Sequence, residues 1–140
     1  MLEQASNLSS QVIENPFIYA KSIAELENAI SVVSDMRNKK SHIYTGKFAQ
    51  ILGIEDYNIE SSIWESRIIS LMSGEEQEKK IVTELQFYNF ISSQPTNNRK
   101  NYYLICKLNF HLSNGTIINV LHRMYYLYDG GQIRYAICVY

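Results

Sequence analysis

From Tyr102 onward the chain alternates with a period of two, and this constrains the fold more than any other feature. Tyr102, Leu104, Cys106, Leu108, Phe110 and Leu112 fall on one side, with Tyr103, Ile105, Lys107, Asn109 and His111 on the other. Successive side chains of a β-strand point to opposite faces, so this pattern predicts a half-buried strand. Asn114-Gly115 follows, and a tight hairpin turn needs the positive φ that these two residues tolerate best. A second strand is predicted from Thr116 to about Tyr128, and Asp129-Gly130-Gly131 turns it into a third, from Gln132 to Tyr140. The final third of the chain is therefore expected to be a three-stranded antiparallel meander. It holds seven of the eleven tyrosines and both cysteines. The hairpin register stays open. A two-residue turn sets Cys106 opposite Arg123; a bulge, favoured because it keeps apolar residues together, sets Cys106 beside Met124 and Leu108 beside His122.

The earlier part reads as helices. Residues 2–14 are a short helix candidate ended by Asn15-Pro16, since proline disfavours helical geometry in the residue before it. From Phe17 to about Arg37, Tyr19, Ile23, Leu26, Ile30 and Val33 follow a 4-3-4-3 spacing, one stripe of an α-helix. That stripe either covers a sheet face or forms a two-helix dimer seam. Residues 41–45 are the first expected strand, followed by a short helix that Gly53 ends. Ile63-Trp64 opens an apolar helical stretch in which Trp64 is expected to be largely buried. Ser73-Gly74-Glu75-Glu76 fits a capping box and starts a helix that runs to about Ser92. Its Glu75–Lys79 and Glu76–Lys80 pairs are spaced to interact on a solvated face. Residues 94–101 are a polar loop.

At 140 residues the chain is long enough for one hydrophobic core without disulfide staples. Two cysteines suit a reducing cytosol and exclude a four-cysteine zinc knuckle. With 13 basic against 14 acidic residues, the chain offers no footprint for a phosphate backbone. The first residues carry Glu3 and no apolar core of a signal peptide, and no apolar run approaches a membrane span. A cytoplasmic address without membrane association is expected.

Catalytic and metal constellations are scarce. His42, His111 and His122 have no metal-ligand spacing, and no phosphate-cradling or nucleophile-elbow motif occurs. His122 stands out because Ile118, Val120, Met124 and Tyr126 share its face, and an imidazole among apolar groups has a hydrogen-bond partner or a ligand. No acid is placed near it by spacing. A Tyr-rich sheet facing helices suits a small apolar cavity with a few polar handles.

The order of elements resembles a PAS sensory domain. HIYTGKFAQILGI at residues 42–54 is similar to the first PAS strand and the helix after it. SGEEQEKKIVTELQFYNFI is similar to the long PAS helix, and LNFHLSNGTIINVLHRMYYLYDGGQIRYAICVY to the closing strands. The likeness covers about residues 39–140. With a polar N-terminal helix ahead of it, the layout resembles the sensor part of bacterial LuxR-type regulators, where a helix-turn-helix domain follows. That likeness implies a segment of a longer regulator that reaches DNA only through a helix-turn-helix domain absent from this chain. Flavin-binding relatives use a cysteine on a helix and haem-binding ones a histidine from the central helical region. This sequence has neither, so no flavin, haem or metal is expected.

The fold expected is α+β and PAS-like, with about five antiparallel strands, short helices on one face and a flanking N-terminal helix. Residues 1–38 form the N-terminal extension and 39–140 the sensor domain. Trp64, Leu85, Tyr88, Cys106, His122, Met124 and Tyr126 are the expected lining of a ligand pocket between the sheet and the 75–92 helix. A homodimer and a small molecule are the expected partners. The alternatives are a ligand-free dimerisation module and, with least support, a small α+β enzyme using His122.

Overall fold

The computed structural model describes residues 15–140; the helix expected over 2–14 lies outside them. Helix α1 spans Pro16–Glu27, with proline at its first turn and Asn28 closing it in the left-handed region at φ 54°. Strands β1 (Ile30–Asp35) and β2 (Lys40–Thr45) follow, then α2 (Lys47–Leu52) and the two-residue β3 (Ile59–Glu60). Next come a single turn α3 (Ser66–Ile69), the long α4 (Gly74–Ser93) and a 3₁₀ helix over Thr96–Asn101. Strands β4 (Leu104–His111), β5 (Ile117–Asp129) and β6 (Gln132–Val139) complete the chain.

All the strand pairings are antiparallel, and the sheet has six strands in the order β3-β2-β1-β6-β5-β4, one more than the five expected. The sequence pattern locates neither β1 nor β3, and β1 lies in the segment read as the second half of a long helix. Ile30, Val32 and Val33 are fully buried, and β1 pairs with β2 on one side and β6 on the other. Both faces of this central strand are covered. A run of β-branched residues there serves two cores at once, and it mimics half of a helical stripe when only every third or fourth residue is counted. The sheet thus begins at Ile30, upstream of the boundary drawn at residue 39.

Helix α1 covers the outer face of the sheet. It buries Ala20 and Ala24 with Ala29, Val33, Ile137 and Val139, while Ile23 packs at the edge. Tyr19 and Leu26, both in the expected stripe, face solvent instead. On the inner face, Ile68, Met72, Phe87 and Ile91 from the helices meet Ile30, Val32, Leu108, Phe110 and Met124.

The β4–β5 hairpin has neither expected register. Cys106 lies opposite His122 and Leu108 opposite Val120. Leu112 N–H donates to the Thr116 carbonyl, Gly115 N–H donates to the Leu112 carbonyl, and Gly115 has φ 86°. This is a three-residue loop with glycine at its left-handed position, a common alternative to the two-residue turn. Cys106 and His122 still share a face, so the alternation is preserved. The β5–β6 turn is Gly130-Gly131 as expected, with a register shift at Leu127/Tyr128.

Candidate functional site: a cavity floored by a buried charge cluster

A cavity of about 670 Å³ lies between α4 and the inner face of the sheet. Its walls are Ile81, Leu85 and Tyr88 of α4, Met124 and Tyr126 of β5, Ala136 and Cys138 of β6, and Ile63, Trp64 and Ile69 of the segment around α3. Five of the seven side chains singled out from sequence therefore meet here: Trp64, Leu85, Tyr88, Met124 and Tyr126. Alternation put Met124 and Tyr126 on one face, and the spacing of α4 brought Leu85 and Tyr88 over them.

Trp64 is 68% exposed, against the expectation of burial. It stands at the cavity rim because the chain turns sharply beside it: Glu65 has φ 53°, a left-handed conformation that non-glycine residues seldom adopt. Leu85 and Tyr88 are about half exposed, so the mouth opens along α4. Phe87, on the neighbouring side of the helix, stacks on Tyr126 with ring centroids 5.3 Å apart and anchors α4 to the sheet. Cys106 is half-buried on β4 and packs against the core beside the cavity, and neither it nor His122 lines the wall.

The floor is charged. Lys80 and Glu84 sit one helical turn apart, with Lys80 Nζ donating to Glu84 Oε1 at 2.6 Å. Lys80 Nζ is also 3.3 Å from Glu65 Oε2, which accepts a 2.6 Å hydrogen bond from the Tyr140 hydroxyl. Glu84 Oε1 lies 3.0 Å from His122 Nε2, and the His122 ring stacks on Tyr140 at 4.5 Å. Lys80, Glu65 and His122 are at most 4% exposed. Burial alone penalises every charge here. For Glu84 the His122 hydrogen bond and the Lys80 charge outweigh burial and hold its carboxyl below the usual range. For Lys80 burial works against the ammonium, but the Glu65 and Glu84 carboxylates prevail and raise its pKa. Burial pushes the Cys138 thiol and the Tyr140 phenol well up, so both stay protonated and neutral.

His122 thus has the partner its apolar neighbours demand, and it is an acid that sequence spacing did not place. Glu84 is 38 residues away and reaches His122 only because α4 crosses β5. The charge run on α4 is also not all solvated. Lys80 turns inward rather than pairing with Glu76, whose Oε2 accepts the Asn109 N–H, and Lys79 donates to the Lys107 carbonyl. Ser73 does cap the helix, its Oγ accepting the Glu76 N–H. Glu65 was missed too. Its signal was weak: one acid flanked by Ile63, Trp64 and Ile68.

Glu84, His122 and Cys138 place their ligand atoms within 4.8 Å of one another. A divalent cation at this set would have to compete with the Lys80 ammonium, which already holds the Glu84 carboxylate. Both cysteines lie on strands.

No family model and no curated protein matches the sequence. The structure, by contrast, is similar to solved sensor domains. The N-terminal domain of a diguanylate cyclase with PAS/PAC sensor from Marinobacter aquaeolei superposes with TM-score 0.51 at 14% identity, covering 79% of this chain and 91% of that one. A LOV protein of Rhodobacter sphaeroides gives TM-score 0.54 at 12% identity over 88% of this chain and 64% of that one. A sensory box histidine kinase/response regulator from Burkholderia thailandensis gives 0.51 at 13%, covering 88% and 80%. The chain therefore has an α+β fold of the PAS/LOV kind. Among the described residues no helix is long and apolar enough to cross a membrane.

Proposed function

We propose that this chain is a PAS-type sensory module that binds a small molecule in the cavity under α4 and relays its occupancy through α1 and a homodimer interface. The reading takes the output to be a DNA-binding domain of the LuxR type elsewhere in a longer cytoplasmic regulator. The observation that carries it is the cavity itself, about 670 Å³ of largely apolar wall with a few fixed polar groups. The fold likeness to sensor domains supports it. The reading is a binding role rather than catalysis, because Glu84 is tied to both Lys80 and His122 and is not free to act as an acid or base.

Native mass spectrometry of the protein purified from a cytosolic expression host, compared with its denatured mass, tests this. A retained small-molecule mass is the expected result, and an empty protein that also fails to take up apolar probes contradicts it.

A second reading, a ligand-free dimerisation module, is favoured by the apolar side chains left outside. Leu26 is 84% exposed on α1, and Ile105 and Leu121 are about half exposed on the outer face of β4 and β5. Charged substitutions there that abolish a dimer without altering ligand uptake would separate the two.

A further inference from the structure

We infer that the ligand is a protonated amine carrying an apolar, aromatic-compatible body, with Glu65 as the group that receives its ammonium. The inference rests on the cavity being the ligand site. It follows from which valences at the floor are left open. Glu65 is 2% exposed and lines the cavity, and its Oε2 is used by Tyr140 and Lys80 while Oε1 has no hydrogen-bond partner. The other open atom of the cluster is His122 Nδ1, also buried and unpartnered.

The charge balance points the same way. Two carboxylates, Glu65 and Glu84, share the single lysine ammonium of the floor. An unpaired buried carboxylate oxygen is costly and is satisfied best by a charge-assisted donor. A carboxylate ligand would instead add a third anion against one lysine. The cavity wall suits the remainder of such a ligand: Trp64, Tyr88 and Tyr126 line it with aromatic surface. The Tyr140 hydroxyl and the Lys80 ammonium hold the Glu65 carboxylate at the cavity wall.

The test uses the full chain and three probes of one shape: 4-phenylbutylamine, 4-phenylbutanol and 4-phenylbutyrate. Trp64 is the sole tryptophan and stands at the rim, so its emission reports occupancy. The amine is expected to bind about tenfold or more tighter than the alcohol, as a charge-assisted hydrogen bond replaces a neutral one, with the carboxylate weakest. In Glu65→Gln the amine's advantage over the alcohol should fall to within about twofold. Equal affinities for amine and alcohol, or a preference for the carboxylate, overturn this inference and leave the cavity reading standing. Binding of none of the three overturns both. The comparison of probes on the unaltered chain decides the matter even where the variant does not fold.

Discussion

At the scale of single residues, the molecule's least usual feature is a lysine inside its core. Lys80 is 4% exposed, and among the described residues its ion pairs are with Glu65 and Glu84. Removing one partner of a buried ionic group leaves the others uncompensated, so Lys80→Met should cost about 3–5 kcal/mol in urea unfolding. A loss below about 1 kcal/mol would mean that water reaches the cluster. A second charged residue sets an acid limit. Asp35 accepts hydrogen bonds from Arg37 and Asn38 backbone N–H groups and from the Asn38 and Arg134 side chains. Burial opposes its ionisation, yet Arg134 and the Asn38 and Arg37 donors lower its pKa from 3.8 to about 2. Because the folded value is depressed, its stabilisation is complete above the unfolded pKa and is lost as pH falls through about 2. Glu84, also depressed, acts in the same direction. Stability measured by thermal unfolding should therefore fall between about pH 4 and pH 2, and Asp35→Asn should flatten that fall.

At the scale of elements, the joint between the end of α1 and the start of α2 is a tight backbone approach. Gly46 N–H donates to the Ala29 carbonyl and Phe48 N–H to the Asn28 carbonyl, drawing the chain before α2 onto the end of α1. A Cβ on Gly46 would press on the Ala24 carbonyl oxygen and lie 2.8 Å from the Asn28 backbone. Backbone cannot swing aside as a side chain can, so Gly46→Ala should destabilise by about 1–3 kcal/mol in chemical denaturation. An unchanged midpoint would show that this joint yields. The elements that sequence revealed were those whose signal is local. Ser73 capping α4, Gly53 ending α2, the alternation of β4 and the Gly130-Gly131 turn all depend on residues within one turn of each other. What stayed hidden depended on distant chain. β1 reads as helix until β2 and β6 pair with its two edges and packed layers cover both of its faces, so that Ile30 and Val33 belong to opposite cores. The Glu65–Lys80–Glu84–His122 cluster draws on three separate elements, so no spacing announces it. Met124 and Tyr126 of the cavity were legible because one strand's alternation fixes their side.

At the scale of the whole molecule, one sheet separates two helical layers, and the cavity and α1 lie on opposite faces of it. Strand β6 is shared: Ala136 and Cys138 face the cavity, while Ile137 and Val139 pack under α1. Occupancy that shifts β6 would be felt by α1 directly, which is the relay the proposed function needs. In that account Leu26→Asp, on an 84% exposed position, keeps stability within about 0.5 kcal/mol while converting a dimer to monomer in analytical ultracentrifugation. A dimer that survives the substitution would move the interface off α1. The proposed function stands or falls on whether the space under α4 takes a small molecule. A titration of the ¹⁵N-labelled full chain with 4-phenylbutylamine, followed by amide shifts, tests it most directly. Saturable shifts are expected, centred on Leu85, Tyr88, Met124, Tyr126 and Ala136, with smaller ones reaching α1 through Ile137. Shifts confined to the outer face around Ile105 and Leu121, or none at all, would contradict it.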